Sequence, residues 1–139
     1  MKLKLQLMRD DEVIFEMPLS TADWSKKELV DELDAFEEDS ERFSRIFTAL
    51  SSGSRRIMMR RLMEDGNHVM NFTDFMRDLD MNPKLVSENT RKLSECGLVV
   101  KSGRGQYRCS EFGETGFMMM SLALKRLYEE LDELDGGEI

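Results

Sequence analysis

The sequence predicts a mainly α-helical protein with a small amount of β structure. In most of the chain, apolar residues recur every three to four positions, which is the spacing of a helix with one buried face. Apolar and polar residues alternate at the start, which is typical of strands, and over 98–110 two short strand-like segments flank a glycine-containing turn. The 139 residues, of which 40% are hydrophobic and 35% charged, suffice for one buried core with appendages.

Residues 1–39 are predicted to form a β-hairpin and a helix. The hairpin strands are expected over 2–8 and 12–17, and the polar segment 20–23 offers N-caps for a helix that ends near Glu38. One face of this helix is acidic, and we interpret it as a solvated face; a partner-binding surface is the alternative. The predicted apolar stripe consists of Trp24, Leu29, Val30, Leu33 and Phe36.

Residues 40–113 are predicted to contain four helices followed by a second hairpin. The second of these helices, from about Arg55 to Glu64, is expected to bury an apolar face. A short helix then begins after Thr73 as N-cap, and a longer one runs from Pro83 to Glu95. The apolar residues assigned to these helices are Phe43, Ile46, Phe47, Leu50, Ile57, Met58, Leu62, Leu85, Val86 and Leu93, with Met59 and Thr90 as further candidates.

The hairpin and a last helix complete the chain. Gly97 ends the helix before it, strands are predicted over 98–101 and 106–110, and a tight turn joins them. The last helix is expected over 114–134. Its apolar residues are spaced alternately by three and four positions, which indicates a dimerisation helix, although the N-terminal segment is an alternative cover for them. These residues are Phe117, Met120, Leu124, Leu127, Leu131 and Leu134.

Charge is distributed unevenly along the chain, whose net charge is −8. Residues 1–41 carry 5 basic and 13 acidic residues, whereas residues 42–110 carry 13 basic and 7 acidic ones. Residues 111–139 are acidic again. Because affinity for phosphate depends on local positive charge, the basic middle of the chain is compatible with nucleic-acid binding.

Three segments resemble the ArsR-like winged helix-turn-helix regulators, in the same order as in that family. Residues 49–56 (ALSSGSRR) resemble its helix-turn-Arg signature, with Gly53 where a proline is usual. Residues 85–99 (LVSENTRKLSECGLV) resemble its recognition helix and the start of its wing, and residues 107–113 (YRCSEFG) resemble the exit from the wing. The resemblance implies a DNA-binding domain at 40–113, flanked by an extension at 1–39 and a dimerisation helix at 114–139.

The resemblance also implies the residues that contact DNA. Helix 83–95 is expected to enter the major groove, with Ser87 and Asn89 at groove-facing positions. Glu88 departs from the basic or polar residue usual in the family; it either accepts a hydrogen bond from cytosine or repels phosphate. In the wing 98–110, Arg104 is expected to reach the minor groove or the backbone. The full set of expected contacts is Arg55, Lys84, Ser87, Glu88, Asn89, Arg91, Lys92, Lys101, Arg104 and Arg108. Arg55 is expected either to contact phosphate or to pair with a local carboxylate.

The expected function is therefore that of a homodimeric, cytoplasmic transcriptional regulator that binds double-stranded DNA. No catalytic motif, cofactor motif or membrane-spanning run is found. Residues 75–79 lack the cysteine pair of metal-sensing family members, so we expect no metal site; a sensor that uses Cys96 and Cys109 is the alternative. Two other functions remain open: a winged helix for protein interaction, and a small-molecule sensor with a pocket between the N-terminal hairpin and the dimer helices.

Overall fold

The computed structural model describes residues 3–66 and 68–134, which are mainly helical with small antiparallel sheets. The chain divides into two compact units, Met1–Glu41 and Arg42–Ile139. The first unit contains strands β1 (Lys4–Arg9) and β2 (Glu12–Pro18), a 3-10 turn (Thr21–Asp23) and helix α1 (Lys26–Glu38). The predicted N-terminal hairpin is thus confirmed.

The helix of the first unit starts later than the sequence predicts. Ser20 caps only the 3-10 turn, where its hydroxyl accepts a hydrogen bond from the Ala22 amide. The α-helix begins one turn later, because the hydroxyl of Ser25 accepts from the amide of Glu28. Two consecutive caps therefore divide a segment in which the sequence predicts one helix.

The hairpin has one apolar and one polar face. Leu5 pairs with Met17 and Leu7 with Phe15, so these four side chains share a face. On the other face Gln6 pairs with Glu16, and the Glu16 carboxylate lies 2.7 Å from the Lys4 ammonium. No described residue of this unit is buried: Leu7 is 52% exposed, and Leu33 in the predicted stripe of α1 is 55% exposed.

The second unit carries the remaining helices, and three short strands form its sheet. Its elements are α2 (Ser40–Ser51, which begins before the boundary), α3 (Gly53–Met63), β3 (Met70–Asn71), α4 (Phe72–Leu79), α5 (Pro83–Glu95), β4 (Val99–Gly103), β5 (Gln106–Cys109), α6 (Glu111–Met118), a π-helical turn (Met119–Ala123) and α7 (Leu124–Leu134). The sheet is antiparallel in the order β3-β5-β4. Its third strand, β3, lies directly before α4 and pairs with β5 through Met70 and Asn71.

Side-chain caps fix the ends of α4 and α5. The predicted cap Thr73 is wrong: Asn71 caps α4, because its side chain accepts from the Asp74 amide at 2.8 Å, and the Asp74 carboxylate accepts from the Asn71 amide at 2.9 Å. This backbone hydrogen bond lowers the pKa of Asp74. Asn82 caps α5 ahead of Pro83 at the predicted first position.

The core of the second unit lies where α3, α4 and α5 pack against the sheet. Phe75, Val86 and Leu93 are fully buried, and most of the predicted apolar positions lie in or against this core. Phe47 and Ile57 are exceptions, since about half of each is exposed, whereas Met59 is fully buried. The buried apolar residues are Ile46, Ala49, Met58, Met59, Leu62, Met70, Phe75, Met81, Val86, Leu93, Leu98, Val99, Tyr107 and Cys109.

The last helix starts at Glu111, earlier than predicted, and contains a π-helical turn over Met119–Ala123. A π-helical turn adds about one residue to the local repeat, so it rotates the later part of the helix by roughly 100° about the axis. The expected regular spacing of apolar residues from Phe117 to Leu134 is therefore interrupted. No helix of the described residues is both long and apolar enough to cross a membrane.

Candidate nucleic-acid interface

Helices α4 and α5 are joined by a three-residue turn, Asp80 to Asn82. Asp80 ends α4 in the left-handed region with φ of 52°, a conformation that aspartate tolerates better than most residues. Phe75 of α4 and Val86 of α5 are both fully buried. The two helices thus present their apolar sides to a common core and leave one side of α5 exposed.

The exposed side of α5 carries most of the residues expected to contact DNA. Lys84, Ser87 and Arg91 are exposed and follow one another at intervals of three and four, so they form one face. Glu88 and Lys92 are partly exposed beside them. The predicted core positions Val86, Thr90 and Leu93 lie on the opposite side.

Two ion pairs on α5 reduce the positive charge of this face. The Glu88 carboxylate lies 3.2 Å from the Lys92 ammonium, and the Glu95 carboxylate lies 3.0 Å from the Arg91 guanidinium. The hydrogen bond from Lys92 lowers the pKa of Glu88. Such exposed pairs contribute little to stability, but each carboxylate offsets a cation that would otherwise attract phosphate.

Asn89 does not face a groove, in contrast to the expectation from the family resemblance. Its side chain is 1% exposed: Oδ1 accepts a hydrogen bond from Arg55 Nη1 at 3.2 Å, and Nδ2 donates to Ser54 Oγ at 3.0 Å. The position lies three residues after Val86 and four before Leu93, which places it on the core side of α5. A direct contact between Asn89 and a base is therefore wrong for this structure.

Arg55 is also buried, at 7% exposure, and its predicted phosphate contact is wrong. Its Nε donates to the carbonyl oxygen of Ala49 at 2.7 Å, and Nη2 donates to that of Thr48 at 3.2 Å. These carbonyls belong to the last turn of α2, which lacks intrahelical donors. Arg55 thus closes the end of α2 and is not available to DNA.

The β4–β5 hairpin places its two flanking cations on opposite faces. Lys101 pairs with Tyr107, and its ammonium lies 5.9 Å from the centre of that ring. Arg108 pairs instead with Val100, one position along the strand. Because alternate positions of a strand point to opposite faces, one DNA backbone that approaches a single face of the hairpin meets one of the two cations.

Arg104 is exposed in the two-residue turn at the end of the hairpin. Gly105 follows it with φ of 69°, a conformation that favours glycine. The strand register shifts between Lys101 and Gly103, and such a bulge increases the local twist. Arg104 therefore lies at the point of the hairpin farthest from its packed base.

The base of this hairpin is attached closely to α6. The Ser110 hydroxyl donates to the Gly97 carbonyl oxygen and accepts from the Gly113 amide at 2.8 Å, so one residue joins the end of α5, the hairpin and α6. Gly113 is buried directly against Leu98. These contacts hold the hairpin at a defined place beside α5.

The predicted dimer residues fall into two groups. Phe117 and Met120 are partly buried and pack against the core of their own unit. Leu124 and Leu134 are 58% and 55% exposed, with Leu127 and Leu131 partly buried on the same stripe of α7. The second group thus forms an apolar stripe on α7 that is exposed at its two ends and partly buried between them.

The two cysteines lie in environments that disfavour the thiolate. Burial raises the pKa of Cys109 to about 12, and its sulfur lies 4.0 Å from that of Met59. Burial also raises the pKa of Cys96, at the end of α5. Within residues 3–66 and 68–134, no three His, Cys, Asp or Glu side chains are grouped as metal ligands.

The sequence does not predict that Ser54 contacts helix α5. Ser54 accepts a hydrogen bond from Asn89 and is paired with Ser52 at 3.1 Å. The serine-rich turn between α2 and α3 gives a signal for a helix cap, and Ser52 does cap α3. No sequence pattern indicates that the neighbouring hydroxyl contacts α5.

Comparisons with known proteins do not assign the chain to a family. No family model matches the sequence, and no curated protein is similar to it at a significant level.

Proposed function

We propose that the second unit is a winged helix-turn-helix domain that binds double-stranded DNA and regulates transcription. Helix α5 lies in the major groove, whose width admits one helix, and the β4–β5 hairpin acts as the wing against the backbone or minor groove. The observation that carries the proposal is the short helix, tight turn and second helix followed by a hairpin, with a polar and cationic face on the second helix.

Charge supports the same assignment. Residues 42–110 have a net charge of +6, and Lys84, Arg91 and Arg104 of this region are all exposed. The acidic carboxylates of Glu88 and Glu95 weaken attraction to phosphate without regard to sequence. We therefore expect the protein to bind unrelated DNA weakly. Its affinity for a preferred site should depend on direct contacts with that site.

The proposed assembly is a homodimer that forms through α7. Leu124, Leu127, Leu131 and Leu134 lie along one stripe, and a second copy of the helix offers the same stripe for two-fold packing. A two-fold dimer presents two copies of α5 to half-sites about one helical turn apart. The expected target is therefore a pseudo-palindromic sequence.

A salt series of DNA-binding measurements tests the DNA contact. Replacing Arg104 by Ala should weaken binding to all sequences and reduce the salt slope by about one. Lys27→Ala is the matched control, because it removes an exposed cation from the first unit. Equal effects of the two substitutions, or no measurable binding by the parent protein, would contradict the proposal.

A second candidate function is protein interaction, and the first unit favours it. Its hairpin exposes an apolar face, and its segment carries a net charge of −8. Replacing Phe15 by Asp changes that face without altering the DNA-binding unit. Loss of a cellular partner together with unchanged DNA affinity would show that the two activities are separate.

A further inference from the structure

A buried polar network in the second unit joins the end of α2 and the start of α3 to the middle of α5. Arg55 contacts the end of α2 through its Nε and Nη2, and it contacts Asn89 of α5 through Nη1. Asn89 in turn donates to Ser54 in the first turn of α3. One guanidinium and one amide thus connect three helices through directional hydrogen bonds.

This network depends on geometry more than on charge. None of the ion pairs formed by the described residues includes Arg55; its partners are neutral oxygen atoms, two of them at the negative end of the α2 dipole. A buried cation held in this way has few alternative positions, because moving it leaves donors and acceptors unsatisfied. The bonds therefore restrict both the depth and the rotation of α5.

The restriction acts at the centre of the face proposed to read DNA. Asn89 lies two residues after Ser87 and two before Arg91, which are exposed on the other side of α5. A rotation of the helix by one residue position, about 100°, would replace these side chains at the groove by their neighbours. Small rotations would misplace them by enough to break a hydrogen bond.

We propose that Arg55 and Asn89 are positioning residues that set the rotation of α5. They do not contact DNA themselves, but they determine which side chains of α5 face the bases. The inference rests on the proposed DNA-binding function. A general stabilising role would act on DNA binding only through the folding stability of the domain. A positioning role instead predicts a loss of discrimination between DNA sequences that the loss of folding stability does not explain.

Two substitutions at Asn89 separate these roles. Asn89→Leu keeps the branching and the number of side-chain heavy atoms but removes both hydrogen bonds. Asn89→Asp keeps an oxygen acceptor for Arg55, and the Ser54 hydroxyl can rotate to donate to the carboxylate. Leu62→Ala is the control. It removes a buried side chain from α3, the helix that also carries Arg55, and Leu62 takes no part in the hydrogen bonds of the network.

The first measurement is the ratio of affinities for the selected site and for unrelated DNA at one salt concentration. We expect Asn89→Leu and Arg55→Lys to lower this ratio about tenfold, the size of one lost base contact, with non-specific affinity unchanged. Asn89→Asp and Leu62→Ala should retain the parent ratio. An equal loss in Leu62→Ala and Asn89→Leu, or failure of Asn89→Asp to retain the ratio, would overturn the inference.

A second measurement needs no DNA and so distinguishes the failure of the inference from the failure of the proposed function. Backbone amide chemical shifts of Ser87 and Arg91 should change in Arg55→Lys and Asn89→Leu, and much less in Leu62→Ala. If these shifts stay at their parent values, the positioning role is wrong even where DNA binding is found. If they change but no sequence preference exists, the DNA-binding function is wrong and the network alone is supported.

Discussion

A Cβ atom placed on Gly113 would lie 1.9 Å from the carbonyl oxygen of Leu98, far inside any permitted contact. The obstacle is backbone, with the carbonyl carbon also only 2.8 Å away, so it cannot move as a flexible side chain does. Helix α6 therefore packs against the start of the hairpin at a distance that only glycine allows.

Replacing Gly113 by Ala should destabilise the protein by about 3 kcal/mol, because α6 and the backbone of Leu98 must separate to admit the methyl group. Urea unfolding followed by circular dichroism measures the loss. Gly116→Ala on the same helix is the control: its Cβ would meet the Phe112 ring at 3.6 Å, an ordinary contact. It should be neutral, or stabilising by up to about 1 kcal/mol through helix propensity. Similar losses at both positions would contradict the close packing.

The cap of α4 gives a second prediction. Asn71→Ala should cost about 1 kcal/mol, because it leaves an amide at the start of the helix without its acceptor. Thr73→Ala should have much less effect, since Thr73 is not the cap in the structure. The same unfolding measurement applies, and a larger loss in Thr73→Ala than in Asn71→Ala would restore the assignment expected from the sequence.

Acid should weaken this cap. The pKa of Asp74 is lowered mainly by the hydrogen bond from the Asn71 amide, so its contribution is present above the pKa of the unfolded chain, about 3.9. That contribution is lost as the pH falls through the lower folded pKa. Stability measured from about pH 6 to about pH 2, roughly two units to either side of the unfolded pKa, should decline less in Asp74→Asn than in the parent. Parallel profiles would contradict the role of the carboxylate.

The sequence predicts the elements better than it predicts the direction of polar side chains. The helical spacing assigns Val86 and Leu93 to the core, and the same spacing places Asn89 between them. The groove-facing direction expected for Asn89 rests on the family resemblance and not on this spacing. Arg55 is a similar case: its inward position, with Met58, Met59 and Leu62, forms one regular helix face, which explains why Ile57 lies outside it.

The π-helical turn could not be predicted from the sequence. Residues 117–124 are almost entirely apolar, and such a run has no polar side to indicate how the helix turns. The structure shows that Phe117 packs on its own unit while Leu124 is exposed. The interruption therefore separates residues that the regular spacing places in one interface.

Glu88 should limit the affinity of α5 for DNA. In Glu88→Gln, Lys92 loses its carboxylate partner, so we expect tighter non-specific binding and a salt slope that is steeper by up to about one. Glu129→Gln is the control, because Glu129 forms the same type of pair with Lys125 on α7. Fluorescence anisotropy with labelled duplex DNA measures both. Weaker binding by Glu88→Gln would instead indicate that the carboxylate contacts a base.

The dimer proposal is tested by charge on α7. Leu124→Glu should convert the dimer to a monomer, because it introduces a carboxylate into the proposed interface; since Leu124 is 58% exposed, the fold of one chain should be retained. Arg126→Glu changes an exposed residue outside the apolar stripe and should leave the dimer intact. Analytical ultracentrifugation distinguishes these states. A monomeric parent, or a dimeric Leu124→Glu variant, would contradict α7 as the interface.

Selection of bound sequences from a random DNA library tests the central proposal most directly. The parent protein should enrich one pseudo-palindromic motif whose half-sites are separated by about one helical turn, roughly 10 base pairs. The pool selected with Asn89→Leu should be less sharply defined. A parent pool that remains random after repeated rounds at low salt would contradict DNA recognition by α5 and the hairpin.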